Sequence, residues 1–207
     1  MKRIAVLVSG GGTNLQALID AQSRGEIPNG EIAAVISSKE GVYALERAAR
    51  AEIPHFVIAR KSFPDSRAMT VALVEKLKEL NIDLVVLAGF LTIFTEEIVQ
   101  AFPNAILNVH PALIPSFCGK GYYGLHVHEK ALEYGVKLSG ATVHFVSEEC
   151  DGGPIVLQKA VEVLADDTPE SLQQRIMEQC EWKLLPQAVA LFCAGKLRVE
   201  GRMVHIG

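Results

Sequence analysis

Short runs rich in β-branched residues (RIAVLV, EIAAVIS, PHFVIA, DLVVLAG and AILNV) alternate through the first half of the chain with helix-patterned segments at residues 14–24, 42–51 and 66–80. An apolar strand that returns to its neighbour through a helix must run parallel to it, with both sheet faces covered. The alternation therefore predicts an α/β protein with a doubly wound sheet, expected in the order 3-2-1-4-5. The second half changes character. VKLSGATVHFV and PIVLQKAVEVL read as longer strands joined by a turn at residues 151–153, which predicts antiparallel additions to the parallel half. A long helix is expected from Thr168, a capping residue followed by Pro169, to Gly195, with a kink at Pro186. No linker or repeat interrupts the 207 residues, so residues 1–207 are expected to form one domain.

The net charge of −4 lacks the basic excess with which nucleic-acid binders displace counterions. Anionic small molecules must then be held by backbone amides and a few local cations. The first apolar run is too short for a secretory leader, and the longest apolar stretch, residues 84–94, is about half of what a bilayer span requires. A cytoplasmic chain without membrane or nucleic-acid partners is expected. Cys118, Cys150, Cys180 and Cys193 show no paired metal-type spacing and read as reduced thiols.

Three motifs carry chemistry. After the first strand comes Ser9-Gly10-Gly11-Gly12-Thr13-Asn14, leading into a helix. Glycines let the backbone approach a phosphate, and a helix N-terminus offers unpaired amides with partial positive charge. Leu15 stands where a dinucleotide fingerprint needs its third glycine, and no acid follows the second strand, so NAD is disfavoured. At the end of the fifth run, strand periodicity puts Asn108 and His110 on one side, while Pro111 ends the ladder. An amide donor beside an imidazole suits acyl-group chemistry, with an oxyanion to hold and a proton to move. The third motif, Asp151-Gly152-Gly153-Pro154, is a turn whose carboxylate, if close to His110, would orient that ring and raise its pKa. No metal is expected: His126 and His128 alternate at a helix start, about 200° apart on the helix, without a recognised ligand pattern.

Taken in order, SGGGTNLQALID, VLAGFLTIF, ILNVHPALIPSF and GATVHFVSEECDGGPIVLQ resemble the folate-dependent phosphoribosylglycinamide formyltransferase family over nearly the whole chain. The resemblance implies a Rossmann-like formyltransferase fold, with 10-formyltetrahydrofolate as co-substrate and glycinamide ribonucleotide as acceptor. It makes Asn108, His110 and Asp151 the catalytic residues. It gives Gly12, Thr13 and Asn14 to the ribonucleotide phosphate and Glu181 to the ribonucleotide. Arg67, Leu91, Thr92, Ile93, Phe94 and Asn108 would border the folate. A monomer or homodimer is expected. The alternative is another hydrolase or formyltransferase using the same folate. Three departures from the family stand out: a lengthened loop at residues 116–124, Leu91-Thr92 in place of a Met-Arg pair, and one extra residue after Arg175.

Overall fold

The computed structural model describes residues 1–92 and 94–207. Among these the chain forms β1 (Lys2–Val8), α1 (Thr13–Ser23), β2 (Gly30–Ser37), α2 (Tyr43–Arg50), β3 (His55–Val57), α3 (Ser66–Glu79), β4 (Leu84–Leu87), α4 (Glu96–Ala101) and β5 (Ile106–His110). The second half adds α5 (Leu125–Tyr134), β6 (Leu138–Phe145), β7 (Ile155–Glu162), α6 (Pro169–Ile176), α7 (Trp182–Cys193) and a small hairpin of β8 (Leu197–Glu200) and β9 (Met203–Ile206). The main sheet has seven strands in the order β3-β2-β1-β4-β5-β6-β7. The first five are parallel, as the alternation predicts, and β6 and β7 are antiparallel additions.

The sheet is covered on both faces, and the parity of β1 shows how. Ile4, Val6 and Val8 pack into one apolar cluster with residues of α1, α6 and α7, whereas Ala5 and Leu7 pack into a second with α3 and α4. A strand buried on both sides has no use for a polar face, which explains its uninterrupted apolar sequence. In β5 the same parity puts Leu107 and Val109 in the first cluster and Ile106 in the second. Asn108 and His110 therefore share the face of Ile106, near the strand's carboxyl end.

Helix starts follow local chemistry. The Asp65 carboxylate accepts the Ala68 N–H at 2.7 Å to open α3, and the Thr168 hydroxyl accepts the Ser171 N–H at 3.2 Å to open α6, with Pro169 at the first position. The expected long helix is instead two helices joined by a π-helical turn, Met177–Glu181. Each π-helical bond spans one residue more than an α-helical one, so this turn takes up an additional residue without breaking the run of helical bonds. Pro186, buried inside α7, lacks a donor for the Trp182 carbonyl one turn back, and the π-helical turn ends at Glu181, just before that residue.

Gly140 in β6 lies against the neighbouring β7 backbone: a Cβ there would collide with the Lys159 carbonyl oxygen and meet Leu113 Cδ2 at 2.9 Å. Main chain within a ladder cannot yield as a side-chain tip can. Gly140→Ala is expected to cost about 1–3 kcal/mol, the usual range for overpacking, seen as a lower urea midpoint at unchanged slope.

Candidate functional site

The carboxyl ends of β1, β4 and β5 open on one edge, on either side of the point where the strand order reverses between β1 and β4. A buried hydroxyl ties the loops together there. Ser9 Oγ, just past β1, lies 2.6 Å from Ser38 Oγ, just past β2, and accepts the Leu91 N–H at 3.0 Å from the loop after β4. The local sequence gives Ser9 no role of its own, and only the strand order shows what it joins.

At the end of β5 the predicted trio comes together and recruits a fourth member. His110 Nδ1 lies 3.6 Å from Asp151 Oδ2, and His144 Nε2 lies 3.6 Å from Asp151 Oδ1, so one carboxylate sits between two imidazoles at ion-pair range. Asn108 Nδ2 donates to His144 Nε2 at 3.1 Å, and His144 Nδ1 donates to the Phe145 carbonyl at 2.9 Å. Asn108 thereby uses one amide N–H and keeps a second. His144 reaches the site because Asn108 and His144 are direct partners in the β5–β6 ladder, where a bulge against β7 falls between Val143 and His144. Bulges re-aim side chains beside functional sites. The signal for His144 is in the sequence: Ala141, Val143 and Phe145 are apolar while Thr142 and His144 are polar, a period of two.

The loop at residues 116–124 is wired into this cluster. His110 Nε2 donates to the Phe117 carbonyl at 2.8 Å, and the Gly119 N–H donates to Asp151 Oδ2 at 2.8 Å. Asp151 itself adopts φ 54°, a left-handed conformation that Asp and Asn tolerate better than most residues.

The electrostatics correct one expectation. Burial pushes the His110 pKa down and outweighs the upward pull of Asp151 and of the Phe117 carbonyl, with His144 lowering it further. The carboxylate acts in the expected direction, but desolvation of the charged ring is larger. His110 is consequently neutral in neutral solution. For Asp151 burial acts upward, yet His144, His110 and the Gly119 N–H together hold its pKa below the ordinary carboxylate value. Behind them His128 is fully buried with neither ring nitrogen hydrogen-bonded among the described residues; burial and His110 push its pKa down to about 4, so it is a neutral core residue. His126 is solvent-exposed, and among the described residues no His, Cys, Asp and Glu group could hold a metal.

The glycine turn precedes α1. Gly12 is in the left-handed region at φ 73°, and a Cβ on it would meet Ala44 Cβ at 2.7 Å, so the fold itself demands glycine there. Gly10 and Gly11 differ. Neither lies in the left-handed region, and a Cβ on either would meet nothing within 4 Å. Thr13 is exposed at the start of α1, and Asn14 Nδ2 donates to Glu181 Oε2 at 2.7 Å, bringing the turn and the π-helical segment together. Burial pushes the Glu181 pKa up against the opposing Asn14 bond, and Asn14 Oδ1 is a buried acceptor without a hydrogen-bond partner among the described residues. A cavity of about 310 Å³ adjoins, lined by residues that include Thr13, Gln16, Arg47 and Trp182.

The residues expected to border a folate are more dispersed. Leu91 is exposed and Thr92 half-buried; Phe94 stacks on Phe90 with centroids 4.9 Å apart, and Ile93 lies outside the described residues. Arg67 on α3 is exposed and paired with Glu97 at 2.6 Å.

Comparison with known proteins adds an independent line. A family model described as formyl transferase matches residues 2–189. Phosphoribosylglycinamide formyltransferase of Haemophilus influenzae is 44% identical over 206 residues, covering 100% of this chain and 94% of that protein. Among solved structures, glycinamide ribonucleotide transformylase 1 from Symbiobacterium toebii superposes with a TM-score of 0.94 at 46% identity, covering 100% of this chain and 94% of that one. A formyltetrahydrofolate deformylase from Pseudomonas syringae pv. tomato reaches 0.88 at 25% identity, covering 99% of this chain and 65% of that one.

Asp151→Asn keeps the volume and tolerates the left-handed backbone, so it isolates the charge. The His110 titration followed by NMR is expected to move further below its ordinary value; an unmoved midpoint would mean the carboxylate does not act on the ring.

Proposed function

The chain belongs to the formyl transferase family, and on that premise we propose that it moves the formyl group of 10-formyltetrahydrofolate to the amine of glycinamide ribonucleotide, a step of purine synthesis. The observation that carries the reading is the polar cluster of Asn108, His110, His144 and Asp151 at the strand edge that also bears the glycine turn. An acyl transfer between two nitrogens needs an oxyanion donor, a proton carrier and two adjacent substrate sites, and this edge offers candidates for each.

The amine nitrogen attacks the formyl carbon, and the carbonyl π-electrons move onto oxygen. Asn108, oriented by its bond to His144, turns its remaining N–H toward that oxygen. As the tetrahedral species collapses, the carbon–N10 bond breaks and its electrons return to N10. A proton lost by the attacking nitrogen reaches N10 by way of His110, whose imidazolium Asp151 stabilises for the moment it exists. A ring kept neutral by burial is a competent acceptor at neutral pH. For His110 Nε2 to accept that proton, its N–H bond to the Phe117 carbonyl must be given up and the ring proton moved to Nδ1, the nitrogen that faces Asp151.

Gly12, Thr13 and Asn14 receive the ribonucleotide phosphate in this reading, with the open approach at Gly10 and Gly11 supporting it, and Glu181 meets the rest of the nucleotide. The folate lies toward Leu91, Thr92, Ile93 and Phe94, with Arg67 at the border. The same proposal includes a cytoplasmic location, in keeping with four free cysteines, and a monomer or homodimer acting on small molecules.

Incubation with both substrates is expected to yield formylated nucleotide and tetrahydrofolate by mass spectrometry. Formate released at equal rate without the nucleotide would instead identify a hydrolase. Asn108→Ala is expected to raise the barrier by about 3 kcal/mol, the scale of one lost oxyanion donor, read as kcat in a stably folded variant. Gly11→Ala is expected to leave thermal stability nearly unchanged while weakening nucleotide binding in calorimetry far more than folate binding, because its added methyl points into space that protein atoms leave open beside the proposed phosphate.

A further inference from the structure

The glycine turn is held from behind by α2. The Ala44 N–H donates to the Gly10 carbonyl at 3.2 Å, and Arg47 Nε donates to the Gly11 carbonyl at 2.9 Å. In a trans peptide the carbonyl of one residue and the N–H of the next point in opposite directions. Fixing the Gly10 and Gly11 carbonyls against α2 therefore turns the Gly11 and Gly12 N–H groups away from it. Among the described residues neither amide donates to a protein acceptor.

Arg47 is itself fixed at three points. Besides Gly11 it donates through Nη1 to Gln16 Oε1 at 2.9 Å, Gln16 donates to Asp20 Oδ1 at 2.8 Å, and the guanidinium carbon lies 4.8 Å from the centroid of the Tyr43 ring. A planar guanidinium can hold a carbonyl and an amide oxygen at once while stacking on an aromatic face; an ammonium cannot reproduce that arrangement. Gly12, whose Cβ would strike Ala44, lets the turn approach α2 closely enough for these bonds to form. Nothing in the sequence marks Arg47, which sits 36 residues from the carbonyl it binds.

We infer that Arg47 is a positioning residue for anion binding: its guanidinium clamps the Gly11 carbonyl to α2 and so presents the Gly12 amide, with that of Gly11, to the substrate phosphate. The inference rests on the reading of this turn as the phosphate site. Its chemistry is orientation through the backbone, with the ligand held by amides and the α1 N-terminus.

The test compares Arg47→Met, Arg47→Lys and Gly11→Ala with the unaltered protein, using glycinamide ribonucleotide and its phosphate-free riboside as acceptors. Both Arg47 variants are expected to raise KM for the ribonucleotide about tenfold, the scale of one lost charge-assisted hydrogen bond, with kcat and the folate KM changed far less. KM for the riboside should stay as it was, which a general loss of structure would not allow. Thermal melting and retained folate binding establish that each variant is folded. Full rescue by lysine would overturn the inference, because charge alone would then suffice, and so would an equal loss for the riboside. If Gly11→Ala weakens the ribonucleotide and the Arg47 variants do not, the clamp is wrong and the phosphate site stands. If none of the three affects it, the phosphate site is wrong as well.

Discussion

A parallel strand delivers its chain to the same end as its neighbour, and the rest of this molecule follows from that constraint. With β1, β4 and β5 parallel, their outgoing loops leave on a single edge, so a glycine turn, an exposed apolar loop and an Asn-His pair more than 90 residues apart share one crevice. The helical crossovers needed to achieve this bury both faces of the sheet and leave the edge as the place where backbone polar groups can meet a ligand. The Ser9 hydroxyl then joins the loops across the reversal point, so the two halves of the crevice are hydrogen-bonded to each other.

Within that frame, desolvation and charge pairing pull the cluster in opposite directions. Burial alone would drive both His110 and Asp151 toward their neutral forms. It prevails at the histidine and loses at the carboxylate, which has two rings and a backbone amide to compensate it. The outcome is an ionised acid beside a neutral base, the pairing that acyl transfer between nitrogens calls for. The same balance separates His110 from His128: the latter is equally out of solvent, has no carboxylate, and is driven to about 4.

Much of this was legible in the sequence, for identifiable reasons. Strand and helix order came through because a buried parallel sheet leaves unbroken β-branched runs, and the parity of Asn108 and His110 came through because the period of a strand is two. What escaped were contacts between segments distant in the chain. The period of two in β6 marks His144 as a polar position, but its place beside Asn108 comes from ladder register; Arg47 joins through a helix packed behind a turn, and the direction of the His110 shift follows from burial, which no local pattern encodes. Pro186 did announce an irregular helix, but the irregularity took the form of a π-helical turn, Met177–Glu181, ahead of it.

The loop at residues 116–124 has a consequence beyond its length. Phe117 offers a carbonyl to the histidine and Gly119 an amide to the carboxylate, two opposite backbone poles set two residues apart and matched to two groups of opposite tendency. Such a segment is an electrostatic bracket: while seated, it favours a proton on the ring's outer nitrogen and negative charge on the acid together. Displacing it weakens both preferences at once. A substrate group that took the place of the Phe117 carbonyl at His110 would thereby change the affinity of Asp151 for protons, so two backbone groups take part in the site's acid–base balance.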